Sequence, residues 1–163
     1  MKYLPKIQQE TEWSCALACI ESILLAAEVD YPQRDMLAAM ADDFPEWIEH
    51  PGLISPANFP KVFEAAGMTV DMLQPKDIPE TRELLSGSIG AIISRGKYWK
   101  DETKSELVGN WHALQLLEVE DARVIVMNPG FSPRASTLES IPVGALKLFE
   151  SCVYVFRRQE NPA

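Results

Sequence analysis

An apolar segment near the N-terminus constrains the fold of this chain more than any other feature. It reads CALACIESILLAA at positions 15–27, and only Glu21 and Ser22 interrupt it with polar side chains. A helix on the surface keeps a polar face along its length, whereas a helix that is apolar on nearly every side must be buried. The segment therefore predicts a central helix around which the other elements pack.

The predicted helix begins with a cysteine. Ser14 is the expected N-cap, which places Cys15 in the first turn. Backbone N–H groups and the positive end of the helix dipole stabilise an anion there, and a thiolate is an anion. A cysteine in an arbitrary buried helix more often only fills space. Cys19 follows one turn later on the same side, and packing is its expected role.

Gln9 favours a catalytic role for this cysteine. It lies six residues before Cys15, on a segment that we expect to fold back over the start of the helix. From there its side-chain N–H can donate to an oxyanion that forms beside the sulfur. Gln8 is an alternative donor, and only the spacing favours Gln9.

The pattern of a Gln, five residues, a Cys and a second Cys four positions later resembles the papain-like cysteine proteases. It is more closely similar to the bacteriocin-processing peptidases, which remove double-glycine leaders. The resemblance implies that Gln9 donates to the oxyanion and that Cys15 is the nucleophile. Ala16 stands where those peptidases usually have Gly.

The resemblance also implies an α+β, papain-like fold. An N-terminal helical part of about residues 1–87, with the central nucleophile helix, would pack on a C-terminal antiparallel sheet formed within residues 88–158. With 163 residues and 47% hydrophobic content, the chain is expected to form a single domain, 1–163. The polar segment 96–109 is predicted as a surface loop, and 140–149 as a short helix.

Segments 110–119 and 123–128 predict a β-hairpin. If residues 119–121 form the loop, His112 lies directly opposite Asn128, at about 5 Å between Cβ atoms. The oxygen of Asn128 can then orient the imidazole. A register of the other parity would put the two side chains on opposite faces. Taken singly, His112 would more often be a core histidine, and Asn128 a turn residue before Pro129.

The family resemblance extends to this hairpin. Its histidine begins a strand and is followed by apolar residues, and an Asp or Asn ends the next strand before a proline. His112 and Asn128 match these positions. The leader peptidases more often have Asp, so Asn128 matches the papain-type choice, which orients the histidine without adding a negative charge.

Charge and cysteine content exclude several other classes. A net charge of −9 argues against nucleic acid and anionic membranes as partners. No segment approaches the ~18 apolar residues of a membrane span, and the N-terminus does not look like a signal peptide. We therefore expect a cytoplasmic protein, or one translocated by a signal-peptide-independent route. Three cysteines without metal-ligand spacing predict reduced thiols and no metal site.

Together these features predict a papain-like thiol hydrolase, specifically a peptidase that acts on a peptide or protein without a cofactor. The predicted catalytic residues are Cys15, His112, Asn128 and Gln9, and Trp13 and Trp111 are assigned to substrate binding. An acyltransferase or a deamidase uses the same thioester chemistry and stays an alternative. A peptide-binding module without turnover is a third, and the sequence leaves the oligomeric state open.

Overall fold

The computed structural model describes residues 6–54, 58–94, 98–99, 107–108, 112–146 and 153–158. Within these residues the helices are short, and none is long and apolar enough to cross a membrane. Two 3-10 turns, Ala41–Asp43 and Pro45–Ile48, follow the second helix. The described α-helices are α1 (Cys15–Ala26), α2 (Gln33–Met40), α3 (Phe59–Ala65), α4 (Ile78–Ser86) and α5 (Val143–Leu146).

The fold is α+β and is built around one antiparallel sheet. Its six strands lie in the order β1-β8-β2-β5-β6-β7, and β3 and β4 pair with each other separately. The first strand of the sheet comes from the N-terminal half of the chain and pairs with the last. The strands are β1 (Met68–Leu73), β2 (Gly90–Ser94), β3 (Tyr98–Trp99), β4 (Leu107–Val108), β5 (Ala113–Val119), β6 (Arg123–Asn128), β7 (Thr137–Pro142) and β8 (Val153–Arg158).

Helix α1 is buried, as its apolar sequence predicts. It packs against β2 and β5, and side chains such as Leu17, Ile20 and Leu24 are fully buried. These residues join side chains of α2, α3 and one face of the sheet in a single core. Because burial of each large apolar side chain contributes about 1.5–3 kcal/mol, this core holds α1 in place against the sheet.

A second core covers the other face of the sheet. Alternate side chains of the central strands point to opposite faces, so Ile92 lies in the first core while Ala91 and Ile93 lie in the second. Leu84 and Leu85 of α4 pack against this second face. Burial on both faces explains why the central strands are almost continuously apolar.

Two predicted elements are wrong in part. The surface loop predicted for 96–109 contains the short strands β3 and β4. The helix predicted for 140–149 begins only at Val143; residues 140–142 end strand β7, and 147–149 lie outside the described residues. Strand β7 lies at the edge of the sheet and is mostly exposed, so it lacks the alternating apolar pattern by which strands are predicted. Backbone pairing with β6 determines its conformation.

Candidate active site

Cys15 is the first residue of α1 and is 7% exposed. Its Sγ accepts a hydrogen bond from the backbone N–H of Ala113, at 3.4 Å. Ser14 is the N-cap residue, as predicted, but its hydroxyl makes no capping hydrogen bond. The hydroxyl instead bonds with the backbone N–H of Thr11 and with Oε1 of Gln33, at 3.0 Å each. The N–H groups of the first turn of α1 are therefore not capped by Ser14.

Cys19 lies one turn further along α1 and is fully buried. Its Sγ lies 3.8 Å from the carbonyl oxygen of Ala113, so the same residue of β5 contacts both sulfur atoms. Burial raises the pKa of the Cys19 thiol well above its ordinary value, and the neighbouring Cys15 raises it further. Cys19 therefore stays a protonated thiol, which is the state expected of a packing residue.

The register of the β5–β6 hairpin differs from the prediction. Near the turn, Val119 pairs with Val124, and a β-bulge lies between Leu116 and Glu118. Beyond the bulge, Leu116 pairs with Val126. The extra residue reverses the parity that the turn alone would impose on the far end of the hairpin. The bulge thus brings the side chains at positions 112 and 128 to one face.

His112 lies diagonally across from Asn128 and not directly opposite it as predicted, because the register beyond the bulge sets Asn128 opposite Leu114. The two side chains still meet: Nε2 of His112 is 2.6 Å from Oδ1 of Asn128. Diagonal neighbours in a sheet are within reach of long side chains. The amide Nδ2 of Asn128 in turn donates a hydrogen bond to the carboxylate of Glu139 on β7.

Gln9 lies in an extended segment above the start of α1. Its backbone N–H donates to the carbonyl of Gly130 at 2.8 Å, and its side chain is buried. The amide Nε2 donates to the carbonyls of Thr11 at 3.1 Å and Glu12 at 3.3 Å. Gln8 is exposed and directs its Nε2 to the carbonyl of Arg134. Gln9, and not Gln8, is therefore the glutamine that faces inwards.

A buried glutamine of α2 holds this segment in place. Nε2 of Gln33 donates to the Gln8 carbonyl and to the carboxylate of Glu21, both at 2.9 Å. Its Oε1 accepts from the backbone N–H of Glu10 at 3.0 Å and from the Ser14 hydroxyl. The side-chain amide thus bonds the segment on both sides of Gln9, as a neighbouring strand would.

The loop from Pro129 to Ser136 holds the other edge of the N-terminal segment. Its Ser136 hydroxyl accepts from the Gly130 N–H at 3.1 Å and donates to the Ile7 carbonyl at 2.7 Å. A Cβ atom at Gly130 would overlap the carbonyl groups of Arg134 and Ala135. Only glycine allows the two limbs of this loop to approach so closely.

A cleft of about 840 Å³ lies between this loop and the N-terminal segment. Gln9, His112 and Asn128 line it together with Glu139, Glu12 and residues of the loop, whereas Cys15 is not among the lining residues. The structure therefore brings three of the four predicted catalytic residues to one cleft. The fourth lies against the residue that follows His112 in the chain.

Trp13, one of the two tryptophans assigned to substrate binding, does not line this cleft. Trp13 is 37% exposed and makes an edge-on contact with the ring of His50, with centroids 4.5 Å apart. Trp111 lies outside the described residues.

Gly52, with a positive φ of 88°, lets the loop after His50 pack directly on Ser14.

Sequence reasoning missed three residues that position this site. Gln33 and Ser136 carry no local motif, since their partners are 23–25 and 129 residues away at the N-terminal segment. Glu139 was missed because no strand was predicted at β7, and the last residues of that strand, 140–142, were assigned to the start of a helix. Recognition of β7 as the partner of β6 would have placed Glu139 beside Asn128.

Among the described residues, no group of three or more His, Cys, Asp or Glu side chains is arranged to hold a metal ion. Comparison of the sequence with protein-family models gives no match. Comparison with curated proteins also gives no match. A function for this chain must therefore be argued from the geometry of the site.

Proposed function

We propose that this protein is a papain-like thiol hydrolase, a peptidase that cleaves a peptide bond through a thioester on Cys15. One observation carries the proposal. The backbone of Ala113 donates to the Cys15 sulfur, while the preceding residue, His112, is held at 2.6 Å by Asn128. The fold thus brings together from distant parts of the chain a cysteine, a histidine and an asparagine, the residue types that can serve as nucleophile, base and orienting residue.

In the proposed first step, Nδ1 of His112 takes the proton of the Cys15 thiol, and the sulfur attacks the substrate carbonyl carbon. A C–S bond forms and the carbonyl electrons move onto the oxygen. The backbone N–H of Cys15 and Nε2 of Gln9 are the proposed donors to this oxyanion. For Gln9, the oxyanion would replace the carbonyl of Glu12, the longer of its two partners.

Collapse of the oxyanion breaks the C–N bond, and the His112 imidazolium gives its proton to the leaving amine. His112 then takes a proton from a water molecule, whose oxygen attacks the thioester. The acid is released and the Cys15 sulfur recovers its proton. No cofactor is required. Since His112 lines the cleft and Cys15 does not, the cleft suits the part of the substrate on the leaving-group side.

The test compares the two described cysteines and the two histidines of the chain. We expect iodoacetamide to label Cys15 rapidly at pH 7 and to leave the buried Cys19 unlabelled, as read by mass spectrometry of the native protein. His112→Ala should slow labelling at least about tenfold, whereas His50→Ala should not. Equal labelling rates in both histidine variants, with the fold retained, would refute the proposal.

A peptide library read by mass spectrometry identifies the reaction. Cleaved peptides lost in Cys15→Ala support the peptidase. A mass gain from a transferred acyl group, or a change of about one mass unit on an amide side chain, identifies instead an acyltransferase or a deamidase, both of which share the thioester. Peptides bound but unchanged by a protein whose Cys15 is not reactive identify a binding module.

A further inference from the structure

The carboxylate of Glu139 accepts a hydrogen bond from Asn128, the residue that orients the proposed base. We propose that Glu139 is a positioning residue that fixes the amide of Asn128, sets the tautomer of His112 and supplies the negative charge that a neutral asparagine lacks. This inference rests on the proposed thiol hydrolase function and extends its site from four residues to five.

Hydrogen-bond direction gives the first step of the argument. An ionised carboxylate only accepts hydrogen bonds, so Glu139 requires the NH2 group of Asn128. The other end of the amide, Oδ1, then faces His112 and also only accepts. Nε2 of a neutral His112 must therefore carry the proton, which leaves the lone pair on Nδ1 to take a proton from Cys15. An interchange of the Asn128 oxygen and nitrogen would break the hydrogen bond to Glu139 and would require the other tautomer of His112, with the proton on Nδ1.

Strand pairing explains why Glu139 reaches this position. On β6 and β7, Asn128 pairs with Thr137, and Val126 pairs with Glu139. Residues 126, 128, 137 and 139 therefore share one face, and Glu139 is the diagonal neighbour of Asn128. Two hydrogen bonds from Arg123 to Ser140, at 2.7 and 2.8 Å, hold the next residue of the edge strand. The position of Glu139 is therefore held by the backbone pairing of β7 with β6.

Two other charged side chains, Glu12 and Arg134, line the same cleft as His112. Cys15, on α1, contacts the backbone N–H of Ala113. Glu12 and Arg134 are exposed, whereas Glu139 is partly buried and bonded to Asn128. A carboxylate one amide away from the imidazole favours the imidazolium form, and partial burial reduces screening by solvent.

The hydrogen bond between Asn128 and Glu139 determines what an acidic substitution at position 128 is expected to do. Asn128→Asp would set two carboxylates within hydrogen-bond distance, and like charges so close cannot both ionise without cost. Asn128→Asp combined with Glu139→Gln restores one amide and one carboxylate in the opposite order. In that double variant, the amide introduced at position 139 donates to the carboxylate introduced at position 128, which in turn accepts the Nε2–H of His112.

The experiment therefore compares the native protein with Glu139→Gln, Asn128→Asp and the double variant. The probe is iodoacetamide, and the readout is the rate of Cys15 alkylation between about pH 5 and 9. Glu139→Gln should lower the rate at pH 7 roughly fivefold and move the alkylation profile assigned to the Cys15–His112 pair by about half to one pH unit. Asn128→Asp should lower the alkylation rate by at least the same factor. In the double variant the rate should return to within about threefold of the native rate.

Nitrogen NMR of His112 provides a readout that does not need enzymatic activity. In the native protein the neutral imidazole should carry its proton on Nε2, and Glu139→Gln should lose this preference. Glu118→Gln, a partly buried glutamate on β5 of the same sheet, is the matched control and should leave the His112 spectrum unchanged.

The two proposals fail in different ways. If Cys15 proves unreactive and no peptide is cleaved, the thiol hydrolase is wrong, but the NMR spectra still test the link from Glu139 to His112. If the native protein is active while Glu139→Gln keeps the native tautomer and pH profile, the positioning role is wrong. A double variant no better than the poorer single variant also overturns it.

Discussion

Two buried glutamines provide a direct test of how this fold is held together. Gln33 makes four hydrogen bonds, to the carbonyl of Gln8, the N–H of Glu10, the hydroxyl of Ser14 and the carboxylate of Glu21. Gln33→Leu keeps the size of the side chain and removes all four. Each of the four partners, of which the Ser14 hydroxyl is buried and the others are partly buried, then loses a hydrogen bond.

The loss can be estimated from the bonds themselves. Each of the three neutral bonds contributes about 1 kcal/mol net, and the bond to the Glu21 carboxylate about 1.5–3 kcal/mol. Because Glu21 is only partly buried, its bond counts at the lower end of that range. Burial of the added apolar surface offsets part of the loss, by about 1–2 kcal/mol. We expect Gln33→Leu to lower the free energy of unfolding by about 3 kcal/mol, a large part of the ~5–15 kcal/mol of a typical domain.

Gln115 is the matched control. It is fully buried on β5 between Ile92 and Met127, and neither polar atom of its amide has a hydrogen-bond partner among the described residues. Gln115→Leu removes a desolvated amide and breaks no hydrogen bond. Since an unsatisfied buried polar group costs about 1–3 kcal/mol, the free energy of unfolding should stay level or rise by about 1 kcal/mol.

Urea unfolding at pH 7, followed by far-ultraviolet circular dichroism, measures both variants against the native protein. Amide hydrogen exchange adds a local readout, because the N–H of Glu10 loses its acceptor in Gln33→Leu and should exchange faster. The reasoning fails if the two substitutions change the free energy of unfolding by the same amount, or if the Glu10 amide stays as protected as in the native protein.

Three further predictions concern the site and its support. Gly130→Ala should lower the free energy of unfolding by about 1–3 kcal/mol in urea, because its Cβ overlaps backbone, whereas Gly144→Ala, in open space within α5, should be neutral or stabilising. Burial raises the pKa of Glu21 above the ordinary carboxyl value, so the native protein loses stability as pH rises through the raised pKa. In urea unfolding, the free energy of unfolding of Glu21→Gln relative to the native protein should therefore increase with pH, and a constant difference across pH would contradict this. Gln9→Ala should lower kcat about 100-fold and leave alkylation of the Cys15 thiol intact. Substitution of the exposed Gln8 by Ala should leave kcat unchanged, and a loss of kcat in Gln8→Ala but not in Gln9→Ala would refute the oxyanion assignment.

Local patterns in the sequence predicted several elements of the fold. The apolar segment predicted the buried helix α1, and the alternation and turn signals predicted the β5–β6 hairpin. Both depend on periodicities of a few residues, which the sequence displays directly. The edge strand β7 was missed because its exposed residues have no apolar alternation, and its conformation depends on pairing with β6.

The candidate site divides in the same way. Spacing and chain order were enough to select Gln9, Cys15, His112 and Asn128, and the structure brings three of them to one cleft. The β-bulge after Leu116, which decides that His112 and Asn128 meet, leaves no signal in the sequence. The bulge adds a single unpaired residue to β5, and this residue reverses the face of the sheet to which the side chains beyond it point.

The sequence by itself thus determined which side chains are available to the candidate site, because the proposed nucleophile, the proposed base and the amides are fixed by residue type and rough position. The tertiary structure alone decided how they are held. Gln33 binds a segment more than twenty residues away, and Glu139 reaches Asn128 from the neighbouring strand. Such contacts depend on which backbones lie side by side, and that is settled by the packing of the whole sheet and its helices.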